Sequence, residues 1–120
     1  MAAAFVLNKA PILERLGGDE EIYAMMVSMY IDDIENNCAA LAAAFAAGDG
    51  GTLQREAHTV KGLLATFSDE AGAAEAYLIE KAAQTGQLAN LGGAVTELQA
   101  RLREVAARSE EHTSELQSQR

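Results

Sequence analysis

Apolar residues recur every three or four positions along four long stretches of this 120-residue chain, and this spacing constrains its fold most. The two clearest runs are Leu53-Ala57-Val60-Leu64-Phe67 and Leu91-Val95-Leu98-Leu102-Val105. In a helix of about 3.6 residues per turn, each run forms one apolar face that other helices must cover. Aromatic residues make up only 5% of the chain, which disfavours a β-sheet protein. We therefore expect an all-α fold.

Glycine and aspartate residues mark the ends of the expected helices. Asn8 is predicted to cap a short first helix that ends at Gly17-Gly18, and Asp19 to cap a long second helix. The glycine-rich segment 48–51 separates the second helix from the third, and the last helix is expected to begin near Leu88. Four long amphipathic helices with short loops predict an antiparallel up-down four-helix bundle, with the short N-terminal helix at one end.

Two helices have apolar faces that the sequence assigns to the core. The second helix carries Ile22, Met25, Met26, Met29, Ile34, Leu41 and Phe45. The fourth carries Ala74, Tyr77, Leu78 and Ala82. Methionines also suit an adaptable surface for binding a partner, but the spacing favours a core stripe.

Charge and composition exclude several classes of function. A formal net charge of −9 disfavours binding to nucleic acid or to anionic lipid. The sequence contains no apolar run approaching the roughly 20 residues of a membrane span. Cys38 is the only cysteine, so an internal disulfide is impossible, and we expect a buried thiol in a cytoplasmic protein. No spacing typical of a metal site is evident, and no cofactor is expected.

His58 lies on the opposite side of the third helix from its apolar stripe, by about 140° at ~100° per residue. Lys61 and Gly62, three and four residues later, are its neighbours on the helix surface. A neutral imidazole nitrogen is a nucleophile, and an adjacent ammonium can screen the charge of a phosphoryl group. Glycine inside a helix costs roughly 1 kcal/mol relative to alanine, so Gly62 indicates close approach by something large. The alternative is an ordinary solvated histidine beside a surface lysine.

The motif around His58 resembles the A-H-x-x-K-G signature of histidine-containing phosphotransfer (HPt) domains. It reads Ala57-His58-Thr59-Val60-Lys61-Gly62. The resemblance covers residues 8–108 and includes Leu41, Phe45, Gly48, Asp49 and Leu53 upstream, with segments 65–67 and 79–83 downstream. One departure is Ser68-Asp69, where many family members carry Gly-Ala, so a different turn is expected there.

The resemblance implies a phosphorelay intermediate in bacterial two-component signalling. His58 would accept a phosphoryl group, on Nε2, from a receiver-domain aspartate and pass it to another receiver aspartate. Lys61 would stabilise the phosphoryl group and Gly62 would give steric access. Gln54, Ala65 and Gln84 are the candidate partner-binding residues, with Gln84 on the neighbouring helix as a further phosphoryl contact.

The expected partners are response-regulator receiver domains and a hybrid histidine kinase. The chain has no glycine-rich loop of the kind that binds ATP, so we expect a phosphocarrier that is not an enzyme by itself. We also expect it to be a monomer. The alternative function is a helical interaction module that binds a kinase or receiver domain without being phosphorylated.

The end of the chain has a separate character. Residues 108–118 resemble a translated sequencing adapter, so they are expected to be non-native. We therefore expect a domain over residues 1–108 and a disordered tail over residues 109–120, and His112 is not a functional candidate.

Overall fold

The computed structural model describes residues 4–118, which form five helices and, within that range, no β-strand. The helices are α1 (Lys9–Arg15), α2 (Glu20–Ala46), α3 (Gly50–Thr66), α4 (Glu70–Gln84) and α5 (Gly92–Ser118). Helix α2 packs against α3 and α5, α4 packs against the same two helices, and α1 contacts α2. The all-α prediction is confirmed. Over residues 4–118, no helix combines the length and apolar character that crossing a membrane requires.

Three aspartates begin the helices that build most of the core. The Asp19 carboxylate accepts hydrogen bonds from the backbone N–H groups of Glu21 and Ile22 at the start of α2. Asp49 and Asp69 cap α3 and α4 in the same way. Each carboxylate satisfies backbone donors that the first helical turn leaves unpaired, so these residues set where the helices begin.

Helix α2 buries a different stripe from the expected one. Its buried residues are Tyr23, Val27, Tyr30, Ile34, Cys38, Leu41 and Ala44. Met25 and Met29 have about two thirds of their surface exposed, and Ile22 is exposed as well. The core assignment of these three residues is wrong. The first half of α2 is apolar on two adjacent faces, and spacing alone does not show which face the other helices cover.

Helix α4 also differs from the expectation. It buries Gly72, Ala76, Ile79 and Ala83, whereas Tyr77 and Leu78 are exposed. Small residues predominate in the buried stripe, which permits close packing of α4 against its neighbours. The large side chains of Tyr77 and Leu78 lie outside that contact.

Helix α5 begins later and ends later than expected. Leu88 lies in the turn before it, and the helix runs from Gly92 to Ser118. The segment 109–118 is therefore helical where disorder was expected, and Ser109 is buried. From residue 94 to residue 118 the chain has neither glycine nor proline to interrupt the helix. The last two residues of the expected tail, 119 and 120, lie outside the described range.

Candidate functional site

His58 projects from the middle of α3 into solvent, with 66% of its side chain exposed. The opposite face of the same helix is fully buried through Leu53, Ala57, Val60 and Leu64. The apolar stripe thus fixes the rotation of α3 about its axis. This rotation presents the imidazole outward on a rigid support.

A single carboxylate, that of Glu80 on α4, contacts both His58 and Lys61. Its Oε2 lies 2.9 Å from His58 Nδ1, and its Oε1 accepts a hydrogen bond of 2.8 Å from Lys61 Nζ. The Lys61 hydrogen bond is the largest effect and lowers the pKa of Glu80; burial opposes it, and the His58 contact lowers the pKa further. Glu80 is therefore ionised at neutral pH and links the two predicted site residues.

The position of Lys61 is further defined by Tyr77. The Lys61 ammonium lies 5.1 Å from the centre of the Tyr77 ring, and Lys81 Nζ lies 5.6 Å from the same centre. Such cation–π contacts are favourable at this range. These contacts keep the ammonium groups of Lys61 and Lys81 close to one ring of α4, a helix whose other charged side chains are acidic.

On the exposed side of α3, the residues that follow His58 are small, and other parts of the described chain do not cover them. Apart from its chain neighbours and the backbone of its own helix, no described atom lies within 4 Å of the position that a Cβ on Gly62 would occupy. Ala65, one turn after Lys61, is exposed. The Thr59 and Thr66 hydroxyls donate to backbone carbonyls of their own helix. This surface can accept another protein without first losing side-chain contacts of its own.

An apolar groove of about 510 Å³ lies between α2 and α3, next to this surface. We call it the methionine groove. Its lining residues on α2 are Ile22, Met25, Met26, Met29, Tyr30, Asp33 and Asn37. Those on α3 and at its C-terminal end are Thr59, Leu63, Thr66 and Phe67. Thr59 and Leu63 directly follow His58 and Gly62 in the chain. The exposed methionines, assigned to the core from the sequence, therefore line a groove that adjoins the imidazole.

Of the two glutamines proposed as partner contacts, Gln54 lies one turn before His58 on α3, and Gln84 ends α4. The His58–Glu80 and Lys61–Tyr77 contacts show that α3 and α4 run antiparallel. This register places Gln54 opposite Gln84, the last residue of α4. Both glutamines are thus placed near the end of α4, and their contact with a partner stays a prediction.

Sequence reasoning missed Glu80. The residue on α4 that contacts His58 is Glu80, one turn before the proposed Gln84. The available signal was its position directly after Ile79, at the edge of the buried stripe of α4. With Tyr77 and Leu78 assigned to the core, the predicted buried face of α4 differs from the observed one, and the contact between Glu80 and His58 does not follow from it.

The turn after α3 contains the departure from the family pattern. Ser68 has a φ of 60°, a left-handed conformation that no other non-glycine residue adopts between residues 4 and 118. Glycine takes this conformation without steric cost, which fits the glycine that the family resemblance led us to expect at this turn. Ser68 Oγ accepts a hydrogen bond from Arg15, which ties this turn to α1.

Comparison with models of protein families identifies one family. Residues 25–108 match the family model described as "Hpt domain". The histidine-containing phosphotransfer protein B (HptB) of Pseudomonas aeruginosa PAO1 has a similar structure, with a TM-score of 0.83 and 20% sequence identity, over 94% of this chain and 98% of that one.

A second similar structure is the HPT domain of a sensor hybrid histidine kinase from Shewanella. It has a TM-score of 0.76 and 18% identity, over 91% of this chain and 94% of that one. At these identities the two structures show a shared fold. No curated protein is significantly similar to the sequence.

Proposed function

The chain belongs to the HPt domain family, and from this premise we propose that it is a phosphorelay intermediate that carries its phosphoryl group on His58. The family is one of phosphotransfer modules in two-component signalling. The observation that carries the assignment to His58 is its exposed imidazole, which shares the Glu80 carboxylate with the Lys61 ammonium. An accessible nucleophile beside a fixed positive charge is what phosphoryl transfer requires.

The proposed reaction moves the phosphoryl group between an aspartate of a receiver domain and His58. The lone pair of His58 Nε2 forms a bond to phosphorus. The bond from phosphorus to the aspartyl oxygen breaks, and its electron pair remains on the carboxylate. Lys61 stabilises the charge of the phosphoryl oxygens. Transfer to a second receiver aspartate is the same reaction in the opposite direction.

Receiver domains, and a hybrid histidine kinase that contains one, are the proposed partners. The unobstructed surface at Gly62 and Ala65 supports this proposal, since a receiver must bring its own aspartate to the imidazole. The methionine groove adjoins that surface and offers apolar area for docking. Gln54 and Gln84 would contact the partner at the border of the site.

We propose a phosphocarrier without kinase or hydrolase activity of its own, acting as a cytoplasmic monomer. We also propose the antiparallel up-down bundle of α2 to α5, with α1 as an additional helix; antiparallel contacts between α3 and α4 support it.

Transfer from a receiver domain tests the proposed function. A purified receiver is charged with radiolabelled acetyl phosphate, desalted and mixed with this protein. We expect label that is stable in base and labile in acid, as for phosphohistidine, and no label on His58→Gln. Full labelling of His58→Gln would exclude this residue as the acceptor. Receiver binding without label on the wild type would favour the alternative, a module that is not phosphorylated.

A further inference from the structure

We propose that Tyr77 is a positioning residue whose aromatic ring holds the Lys61 ammonium where it can contact a phosphoryl group on His58. This inference rests on the proposed function of His58 and Lys61. Tyr77 lies on α4, outside the segments 57–62, 65–67 and 79–83 that carry the family resemblance. Its side chain is exposed and does not belong to the buried stripe of that helix.

Two neighbouring side chains of α4 restrain Lys61. Its ammonium donates to Glu80 Oε1 at 2.8 Å and lies 5.1 Å from the centre of the Tyr77 ring. Tyr77 and Glu80 are three residues apart, so they are neighbours on the surface of the helix. The other oxygen of Glu80 contacts His58, and these contacts therefore place the ammonium beside the imidazole. Lysine has a flexible four-carbon stem, so an ammonium with fewer contacts would spend less time in this position.

The ring restrains Lys61 without adding negative charge to the site. A phosphoryl group brings about two negative charges, and the Glu80 carboxylate already supplies one. A second carboxylate beside Lys61 would repel the phosphoryl group. An aromatic ring attracts an ammonium through its quadrupole and has no net charge. Tyr77 can therefore hold Lys61 and leave its positive charge available.

The contacts of Lys61 also leave it hydrogen-bond donors. An ammonium has three N–H groups, and Lys61 donates one of them to Glu80. The contact with the Tyr77 ring is electrostatic and needs no oxygen acceptor. Lys61 can thus keep both of its contacts on α4 while it donates to a phosphoryl oxygen.

Proton NMR of the Lys61 side chain tests the contact without any phosphoryl transfer. The ring current of Tyr77 should shift the protons next to the Lys61 ammonium upfield in the wild type and in Tyr77→Phe, which keeps the ring. Tyr77→Leu should return them to the ordinary lysine position. Lys81→Ala is the matched control, since Lys81 Nζ lies 5.6 Å from the same ring centre, and its loss should leave the Lys61 shift in place. An unchanged Lys61 shift in Tyr77→Leu would overturn the proposal.

The lifetime of the phosphohistidine tests the effect on the site. With His58 loaded by phosphoramidate, Tyr77→Leu should lose label about two- to fivefold faster than the wild type, the range that an exposed cation–π contact supplies. Tyr77→Phe should match the wild type. Because Tyr77 acts through Lys61, Tyr77→Leu should cause no further loss in a Lys61→Ala background. Equal acceleration in both backgrounds would show a structural role and refute positioning.

Failure of this proposal and failure of the proposed function are distinguishable. If Tyr77→Leu keeps the wild-type lifetime while Lys61→Ala shortens it, the role of Tyr77 is refuted and the phosphorelay function stands. If His58→Gln is still labelled, the proposed function fails whatever the NMR shows. Helical circular dichroism of each variant confirms that the lifetimes are those of folded protein.

Discussion

The Asp69 carboxylate and the Arg101 guanidinium form a bidentate ion pair in the interior, with Nε 2.7 Å from Oδ2 and Nη2 2.6 Å from Oδ1. The hydrogen bond from Arg101 to Asp69 raises the pKa of the guanidinium. Asp69 also caps α4 by accepting from the Gly72 N–H, and a Cβ on Gly72 would collide with the carboxylate. One side chain therefore both begins α4 and holds its first turn against α5.

Loss of this ion pair should strongly destabilise the protein. The two side chains are only 2% and 7% exposed, so Asp69→Ala leaves a charged guanidinium buried without its main partner. We expect the free energy of unfolding in urea to fall by about 3–5 kcal/mol. Glu35→Ala breaks the bidentate but exposed pair with Arg103 and should change the stability little. Similar losses for the two variants would contradict the difference that burial predicts.

Gly62→Ala should separate stability from function. A Cβ on Gly62 meets no described atom within 4 Å beyond its chain neighbours and its own helix backbone, so alanine should stabilise α3 by up to about 1 kcal/mol. The added methyl group stands on the surface where a receiver is proposed to dock, and transfer should slow. Gly93→Ala is the control, since Gly93 is exposed in the first turn of α5 and is equally free of described neighbours. Unchanged transfer by Gly62→Ala would show that this surface tolerates a larger side chain.

The role of Lys61 can be measured through the lifetime of the phosphohistidine. Phosphoramidate phosphorylates imidazole directly, so no receiver is needed to load His58. Lys61→Ala removes the ammonium beside the phosphoryl group, and we expect faster loss of label. Lys81→Ala is the matched control because both lysines lie over the Tyr77 ring, but it is Lys61 that donates to Glu80. Equal lifetimes in the two variants would argue against a phosphoryl contact by Lys61.

Much of α3 and its site was predictable from the sequence. The apolar spacing from Leu53 to Phe67 determines which side of α3 is buried, and His58 and Gly62 then fall on the exposed side. The capping role of Asp19 was equally local, since it depends on residues within one turn. These predictions succeeded because each depends on contacts within a single helix.

The contact between His58 and Glu80 was not predictable in the same way. It joins two helices, and its register depends on how α4 is rotated about its axis. In the sequence, the large apolar side chains of Tyr77 and Leu78 indicate the buried face of α4 more strongly than the stripe of small residues around Ile79 does. The exposed Met25 and Met29 of α2 were misassigned for a similar reason, because hydrophobicity does not reveal which apolar face the neighbouring helices cover.

Cys38 should react slowly with thiol reagents in the folded protein. Burial between α2 and α5 raises the pKa of its thiol above the ordinary 9.0, so little thiolate is present at pH 8. The thiol also points at the Gln99 carbonyl and is almost inaccessible. A disulfide reagent should label it much faster in urea than in buffer. Equal rates in the two solutions would show that the thiol is accessible in the native state.

The methionine groove should contribute to binding a receiver and hardly at all to folding. Met29 lines the groove with 63% of its surface exposed, whereas Leu78 on α4 is 68% exposed and lies outside it. Serine at either position should change stability by similar small amounts, because neither side chain is in the core. If the receiver covers the groove, Met29→Ser removes apolar area from the interface, at about 25 cal/mol per Å². We expect receiver affinity, measured by calorimetry, to fall about tenfold for Met29→Ser and to stay unchanged for Leu78→Ser. A larger loss of receiver affinity for Leu78→Ser than for Met29→Ser would indicate that the receiver docks on α4 and not on α2.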